Sequence, residues 1–361
     1  MTVKVSILAA AALAAGATAV AAAQETPKPV LAQAPRIAKP EQLPPGTIVQ
    51  MPTLPPAEFD KQLQIGGDDV KARKKETRLS VDVLVNGRGP YKFVVDSGAD
   101  TSVVGLRIAQ SLQLPVTTPA VLNGMTSRAV VDRVKVDSLR MGPSIIRDLQ
   151  LPALREYDVG GDGLIGIDAL THQRLFMDFD SKIIKVEDAA RPYRYDPTDI
   201  VITAKRQRGQ LILTQVRADR TPLDAVVDTG SEISIGNTAL RDRLIRKGRG
   251  HFTTIPVTGV TGVTVNLQLA RIDELQIGPI TLQDVPIAFA DVPPFQTFGL
   301  AKEPALLLGT DLLETFRRIS LDFKARKIRF QLRRCSTSTI AISTDPANAT
   351  RISASAEQGG C

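Results

Sequence analysis

The stretch Val94-Val95-Asp96-Ser97-Gly98-Ala99-Asp100-Thr101-Ser102-Val103-Val104 returns 132 residues later as Val226-Val227-Asp228-Thr229-Gly230-Ser231-Glu232-Ile233-Ser234-Ile235. Pro90 and Pro222 keep the same offset. Further on, Met141-Gly142-Pro143 with Asp148 matches Ile277-Gly278-Pro279 with Asp284. Gly163-Leu164-Ile165-Gly166-Ile167-Asp168 matches Leu306-Leu307-Leu308-Gly309-Thr310-Asp311, and Met177-Asp178-Phe179 matches Leu321-Asp322-Phe323. Landmarks in one order with little drift make this chain a duplicated unit, and they turn the soft expectation of two domains from its 361 residues into two copies of one domain.

Each copy reads as strands. Leu79 to Val85 alternates apolar with polar residues, Asn86-Gly87-Arg88-Gly89-Pro90 signals a hairpin turn, and Tyr91 to Val95 returns as a strand. Leu211 to Val216, the turn Asp219-Arg220-Thr221-Pro222 and Leu223 to Val227 repeat that plan. Two short helices are predicted, Ala169 to Phe176 and Leu312 to Arg318, each entered from an aspartate, Asp168 or Asp311, that caps it and supports the floor of a site. The fold class is mostly β.

The two Asp-[Ser/Thr]-Gly turns carry the chemistry. Each Asp ends an apolar strand and is followed by a small hydroxyl residue and a glycine. The chain can then turn tightly and present the carboxylate beside backbone N–H groups. One such tripeptide is weak evidence. Two at matching places in a duplicated unit, each followed later by an apolar-apolar-Gly-x-Asp segment, are much stronger.

Composition points the same way by exclusion. The chain has only two histidines, His172 and His251, and two cysteines, Cys335 and Cys361, far apart and without metal-ligand spacing. A closed zinc site needs about four such ligands, and a Ser or Cys nucleophile needs an imidazole-type base. No metal or other cofactor is expected, and hydrolytic chemistry should run on carboxylates. Asp158-Val159-Gly160-Gly161-Asp162-Gly163 faintly resembles a calcium loop but lacks the closing Glu, and reads as a turn. The net charge of +7 is spread over short basic groups with 4% aromatic residues and no Trp, which indicates a solvated basic surface rather than nucleic-acid binding.

The ends and the middle differ in composition. Residues 1–23 carry Lys4, an Ala-rich apolar run and Ala21-Ala22-Ala23 before Gln24, the pattern of a cleaved signal peptide; the chain would be periplasmic or secreted, or membrane-anchored if uncleaved. Residues 24–77 form a spacer expected to be largely disordered, with nine prolines between Gln24 and Ala57. The first lobe is placed at 78–189, a connector at 190–199, the second lobe at 200–334 and a flexible Ser/Thr/Ala tail at 335–361. In an exported chain Cys335 and Cys361 could close a disulfide loop or remain free thiols.

With the paired turns and the paired Leu164-Ile165-Gly166 and Leu307-Leu308-Gly309 segments in view, the chain resembles the aspartic proteases, with the retropepsin-like unit occurring twice in one chain as in bilobal pepsins. The resemblance covers roughly Leu79 to Gln331. It implies two closed, mostly antiparallel β lobes, one catalytic aspartate from each, Asp96 and Asp228, and an active-site turn of Ser97, Gly98, Ala99, Thr229, Gly230 and Ser231. Gly166, Asp168, Gly309 and Asp311 would support it. Two carboxylates about 3 Å apart cannot both ionise, so the pair would share a proton and titrate as a unit. Ser231 stands where family members hydrogen-bond the outer carboxylate oxygen, while its counterpart is Ala99; this implies that Asp228 is the more readily ionised. Candidate flaps are Leu122 to Arg128, centred on Asn123-Gly124, and Val257 to Val263, with Gly259 and Gly262; neither carries the tyrosine of pepsin flaps. The implied partner is a peptide or unfolded protein, with a monomer sufficient to assemble the site. A peptide-binding module of the same fold without turnover, and a cell-envelope interaction protein built on the spacer, are the alternatives.

Overall fold

The computed structural model describes residues 36–44, 68–70, 73–75, 78–142, 144–170, 173–181, 183–245, 252–333, 338–344 and 352–358. The signal segment, both histidines and both cysteines lie outside the described residues.

In the first lobe the alternation read from the sequence becomes a two-sided strand. Val81, Val83 and Val85 of Arg78–Val85 are fully buried, while Asp82 and Leu84 between them are not. The turn is the two residues Asn86 and Gly87, both at positive φ, so the return strand begins earlier than expected, at Arg88–Val95. Six strands then close a ring: Arg78–Val85, Arg88–Val95, Gly163–Ile165, Val103–Gly105, Ser144–Leu154 and Arg128–Met141, which pairs back onto the first through Val83 and Met141. The second lobe repeats the ring with Gln210–Ala218, Thr221–Val227, Ala305–Leu308, Ile235–Gly236, Ile280–Phe289 and Thr264–Ile277, closed through Val216 and Ile277. Most pairings are antiparallel; in each lobe the strand that leads into Asp96 or Asp228 runs parallel to its inner neighbour. The fold is thus bilobal and mostly β.

A six-stranded sheet joins the lobes, in the order Ile200–Thr203, Lys327–Gln331, Arg318–Asp322, Gln173–Asp178, Ile183–Asp188 and Asp68–Val70. Its centre is a pseudo-two-fold pair of strands in which Arg174 faces Asp322 and Asp178 faces Arg318. Arg174 Nε donates to Asp322 Oδ2 at 3.1 Å, and Arg318 Nε donates to Asp178 Oδ2 at 2.6 Å. Burial works against the charge on Asp178, but the N–H of Ser181 and the Arg318 guanidinium hold its carboxyl below the usual carboxylate range. The duplication therefore extends to an Arg-x-x-x-Asp-Phe pattern, Arg174 to Phe179 and Arg318 to Phe323.

This sheet corrects the helix expectations. Helix is confined to single turns at Ile167–Leu170 and Thr310–Leu313; beyond them Gln173 to Phe176 belong to the strand Gln173–Asp178, while Glu314 to Arg317 form turns and bends that lead into the strand Arg318–Asp322. A short apolar run does not distinguish a fully buried strand from a helix by period alone. Both runs are buried here because the sheet between the lobes is covered on its two faces. Strand pairing also reaches segments that composition left without regular structure. Glu41–Leu43 pairs with Arg128–Val130, Arg73–Lys75 with Arg78–Ser80, and Ser338–Thr344 with Ile352–Gln358. Among the described residues no helix is long and apolar enough to cross a membrane.

Candidate active site

The two Asp-[Ser/Thr]-Gly turns meet at the seam between the lobes. Each aspartate is held at the end of its strand by the inner neighbour: Asp96 N donates to Ile165 O at 2.9 Å and Asp228 N to Leu308 O at 3.0 Å. The hydroxyl residues then lock the turns to each other. Ser97 Oγ donates to Val227 O and Thr229 Oγ1 to Val95 O, both at 2.9 Å; in return Ser97 N donates to Thr229 Oγ1 at 2.9 Å and Thr229 N to Ser97 Oγ at 3.1 Å. Four buried reciprocal bonds leave neither turn free to move relative to the other.

The glycines are explained by contact. A Cβ on Gly98 would lie 2.6 Å from Cγ of Asp228, and one on Gly230 would lie 2.0 Å from Cγ of Asp96. Each carboxyl thus packs against the opposite lobe's glycine, and only a residue without a side chain fits. Oδ1 of Asp96 accepts from the N–H groups of Gly98 (2.8 Å) and Ala99 (3.0 Å), and Oδ1 of Asp228 from those of Gly230 (3.0 Å) and Ser231 (3.1 Å).

Burial first, and then the neighbouring Asp96 carboxyl, push the Asp228 carboxyl well above the ordinary carboxylate range, with a side-chain hydrogen bond between the two acids. The bond expected from the Ser231 side chain is not made. Its hydroxyl donates to Ile233 O at 2.7 Å, and only its backbone N–H reaches Asp228. The hydroxyl turns back into its own loop, so it supplies no bond to stabilise the charge.

Beneath the turns, Asp168 and Asp311 serve as ties and not as helix caps. Asp168 accepts from Ser102 N (2.9 Å) and Ser102 Oγ (2.7 Å), and Asp311 from Ser234 N (2.9 Å) and Ser234 Oγ (2.7 Å). The same hydroxyls accept from Gly166 N at 3.0 Å and Gly309 N at 2.9 Å. Both glycines pass so close to the Asp-turn loop that a Cβ would lie 2.6 Å from the backbone of Thr101 or Ile233. Ser102 and Ser234, six residues after each aspartate, were not singled out from the sequence although the repeat aligns them.

Burial raises Asp168 and pushes Asp311 up to about 6, so Asp311 favours its protonated form below that pH. With its folded pKa above its unfolded value, Asp311 contributes stability below the unfolded pKa, and that contribution is lost as pH rises through about 6. Ser234→Ala removes a bond that stabilises the ionised form and strands the Gly309 N–H. It is expected to cost about 2–4 kcal/mol, and more at pH 8 than at pH 5; denaturant melts at the two pH values check the size and the sign.

Above the carboxyls, Asn123-Gly124-Met125 and Val257 to Val260 line the same cleft as Asp96 and Asp228. The two loops touch. A Cβ on Gly124 would be 3.4 Å from Thr261 Cγ2, one on Gly259 would be 2.3 Å from Thr126 Oγ1, and one on Gly262 would be 2.6 Å from Arg155. The tips cross over the cleft: Val260 packs with the first-lobe cluster of Val103, Leu154, Val159 and Leu164, and Met125 with the second-lobe cluster of Ile233, Ile235, Phe295 and Phe298. Arg208 and Gln210 of the second lobe reach across to Asp100, with Arg208 donating to its Oδ2 at 3.0 Å. In the former calcium-loop candidate, Asp158 accepts from Arg155 Nε at 2.6 Å and Asp162 from Lys92 N at 2.8 Å. No group of three or more potential metal ligands gathers among the described residues.

Two closed six-stranded barrels, each giving one Asp-[Ser/Thr]-Gly turn to a shared carboxyl pair, define the bilobal class of aspartic proteases. The family model for aspartyl proteases matches residues 81–169 and 214–312, one stretch in each lobe, and the chain belongs to this retropepsin-like family. Comparison with curated proteins returns no match.

Proposed function

We propose that the chain is an exported endopeptidase that hydrolyses peptide bonds with Asp96 and Asp228 acting as one acid–base pair. The observation that carries this reading is the packing of each carboxyl against the opposite lobe's glycine, which brings the two acids together at the floor of a cleft roofed by two crossing loops. One carboxylate takes a proton from water as its oxygen attacks the peptide carbonyl, while the protonated partner donates to the carbonyl oxygen. One carboxyl then gives its proton to the amide nitrogen while the other carboxylate takes the proton of a diol hydroxyl, so the C–N bond breaks, acid and amine leave, and the dyad again holds one proton.

The apolar clusters on either side accept side chains of an extended peptide, and the loops over the cleft act as flaps that part to admit it. Export rests on residues 1–23, read as a signal peptide that is cleaved before Gln24. One chain holds both carboxylates, so a monomer suffices.

The test is digestion of an unfolded protein with and without a peptide bearing a non-hydrolysable tetrahedral hydroxyl isostere. Cleavage is expected, and it should be blocked by the isostere. A purified chain that cleaves nothing, or whose cleavage persists at saturating isostere, contradicts the reading.

A further inference from the structure

The segment Arg36–Pro44 does something its proline-rich composition did not suggest. Glu41–Leu43 adds an antiparallel strand to the free edge of Arg128–Val130, the strand that leaves the first-lobe flap, with Gln42 opposite Ala129. From this position the Gln42 side chain reaches both flaps. Its Nε2 donates to Thr261 O of the second-lobe flap at 3.3 Å, and its Oε1 accepts from Ser127 Oγ of the first-lobe flap at 2.7 Å. Ser127 Oγ in turn lies 2.7 Å from Thr261 Oγ1. Three segments distant in sequence thus converge on one polar knot above the cleft. The segment is anchored behind it, where Ala38 N donates to Asp132 Oδ2 at 2.7 Å and Ile37 packs on the core.

We infer that residues 36–44 are a strap that holds the two flaps together in the closed form and so limits entry of substrate; this rests on the endopeptidase reading. An extended peptide cannot enter beneath tips that already touch, and the tips cannot part while Gln42 bridges them. Among the described residues the second lobe has no such strand: Thr264–Ile277 pairs with Thr253–Thr258 and Ile280–Phe289 in its flap region. The restraint is therefore one-sided, and releasing one short segment removes the ties it adds to the direct contact between the tips. Its bonds are few and solvent-accessible, which suits a reversible latch that competes with substrate rather than a permanent part of the core.

Gln42→Ala in the full chain removes both side-chain bonds and leaves the barrels untouched. It is expected to raise the open fraction, and with it kcat/KM on an unfolded protein, about three- to tenfold. Asp132→Ala, which loosens the anchor without touching the flaps, should act in the same direction. Amide exchange of residues 123–128 and 258–263 should quicken in both variants, as should association of the tetrahedral isostere peptide. Unchanged exchange, or faster exchange with reduced cleavage, overturns the strap. If neither wild type nor variants cleave, yet exchange and isostere association both quicken, the strap stands and the endopeptidase reading falls.

Discussion

Asp96→Asn and Asp228→Asn, made singly, should each lower kcat/KM on an unfolded protein by about 10²–10⁴-fold, the worth of a positioned acid–base group. The two losses should not add in the double variant, because the carboxyls act as one unit with one proton between them. Stability should move the other way at Asp228. Its folded pKa is raised by burial and by Asp96, so its contribution to stability is present below the unfolded pKa and lost as pH rises through the folded pKa. An amide that cannot ionise is spared that loss, and Asp228→Asn should melt no lower than wild type at pH 8. Loss of activity with retained melting separates a chemical role from a structural one. An Asp228→Asn chain that retains more than a tenth of wild-type kcat/KM contradicts the assignment.

Gly98→Ala and Gly230→Ala should be nearly as damaging, for a steric reason. The added methyl would fall 2.6 Å from Asp228 Cγ in the first and 2.0 Å from Asp96 Cγ in the second, far inside van der Waals contact. Neither carboxyl can swing away without giving up the two backbone N–H groups that hold its Oδ1. The expected result is at least a hundredfold loss of kcat/KM with a destabilisation of about 2–4 kcal/mol, larger at Gly230 where the approach is closer. Gly87→Ala supplies the contrast. Gly87 sits in a hairpin turn at φ +74° with nothing within 4 Å of its missing Cβ, so it should cost about 1 kcal/mol and leave activity intact. Parallel melts and peptide assays of the three variants make the comparison.

What the sequence disclosed was whatever the duplication repeated. The offset of 132 aligns the two Asp turns, and the paired Gly-x-Asp segments mark the inner strands that hold them. The same alignment contains Ser102 with Ser234 and Arg174 with Arg318, and their roles escaped notice because a serine or an arginine carries no local signature of burial. Only the fold shows that Ser102 and Ser234 join two loops, and that the arginines pair across the lobe-joining sheet. The run after Asp168 reads as helix because a strand buried on both faces lacks the alternation that marks a strand, and the run after Asp311 because no Gly or Pro marks the turn that follows its single helical turn. The orientation of Ser231 was out of reach, since a hydroxyl beside an aspartate can turn to either of two acceptors and its own loop carbonyl won. Gln42 could not have been found from composition, because strand addition at an edge is carried by backbone groups that every residue possesses.

The proposed chemistry needs two carboxyls, one from each lobe, that hold a single proton between them. Carbon-13 NMR of the full chain with labelled Asp carboxyls, titrated in wild type and in Asp228→Asn, tests it without any substrate. One carboxyl resonance should stay protonated well above the ordinary carboxylate range and be absent from the variant. Two dyad carboxyls that both ionise below about pH 5, each at an ordinary carboxylate pKa, would contradict the account.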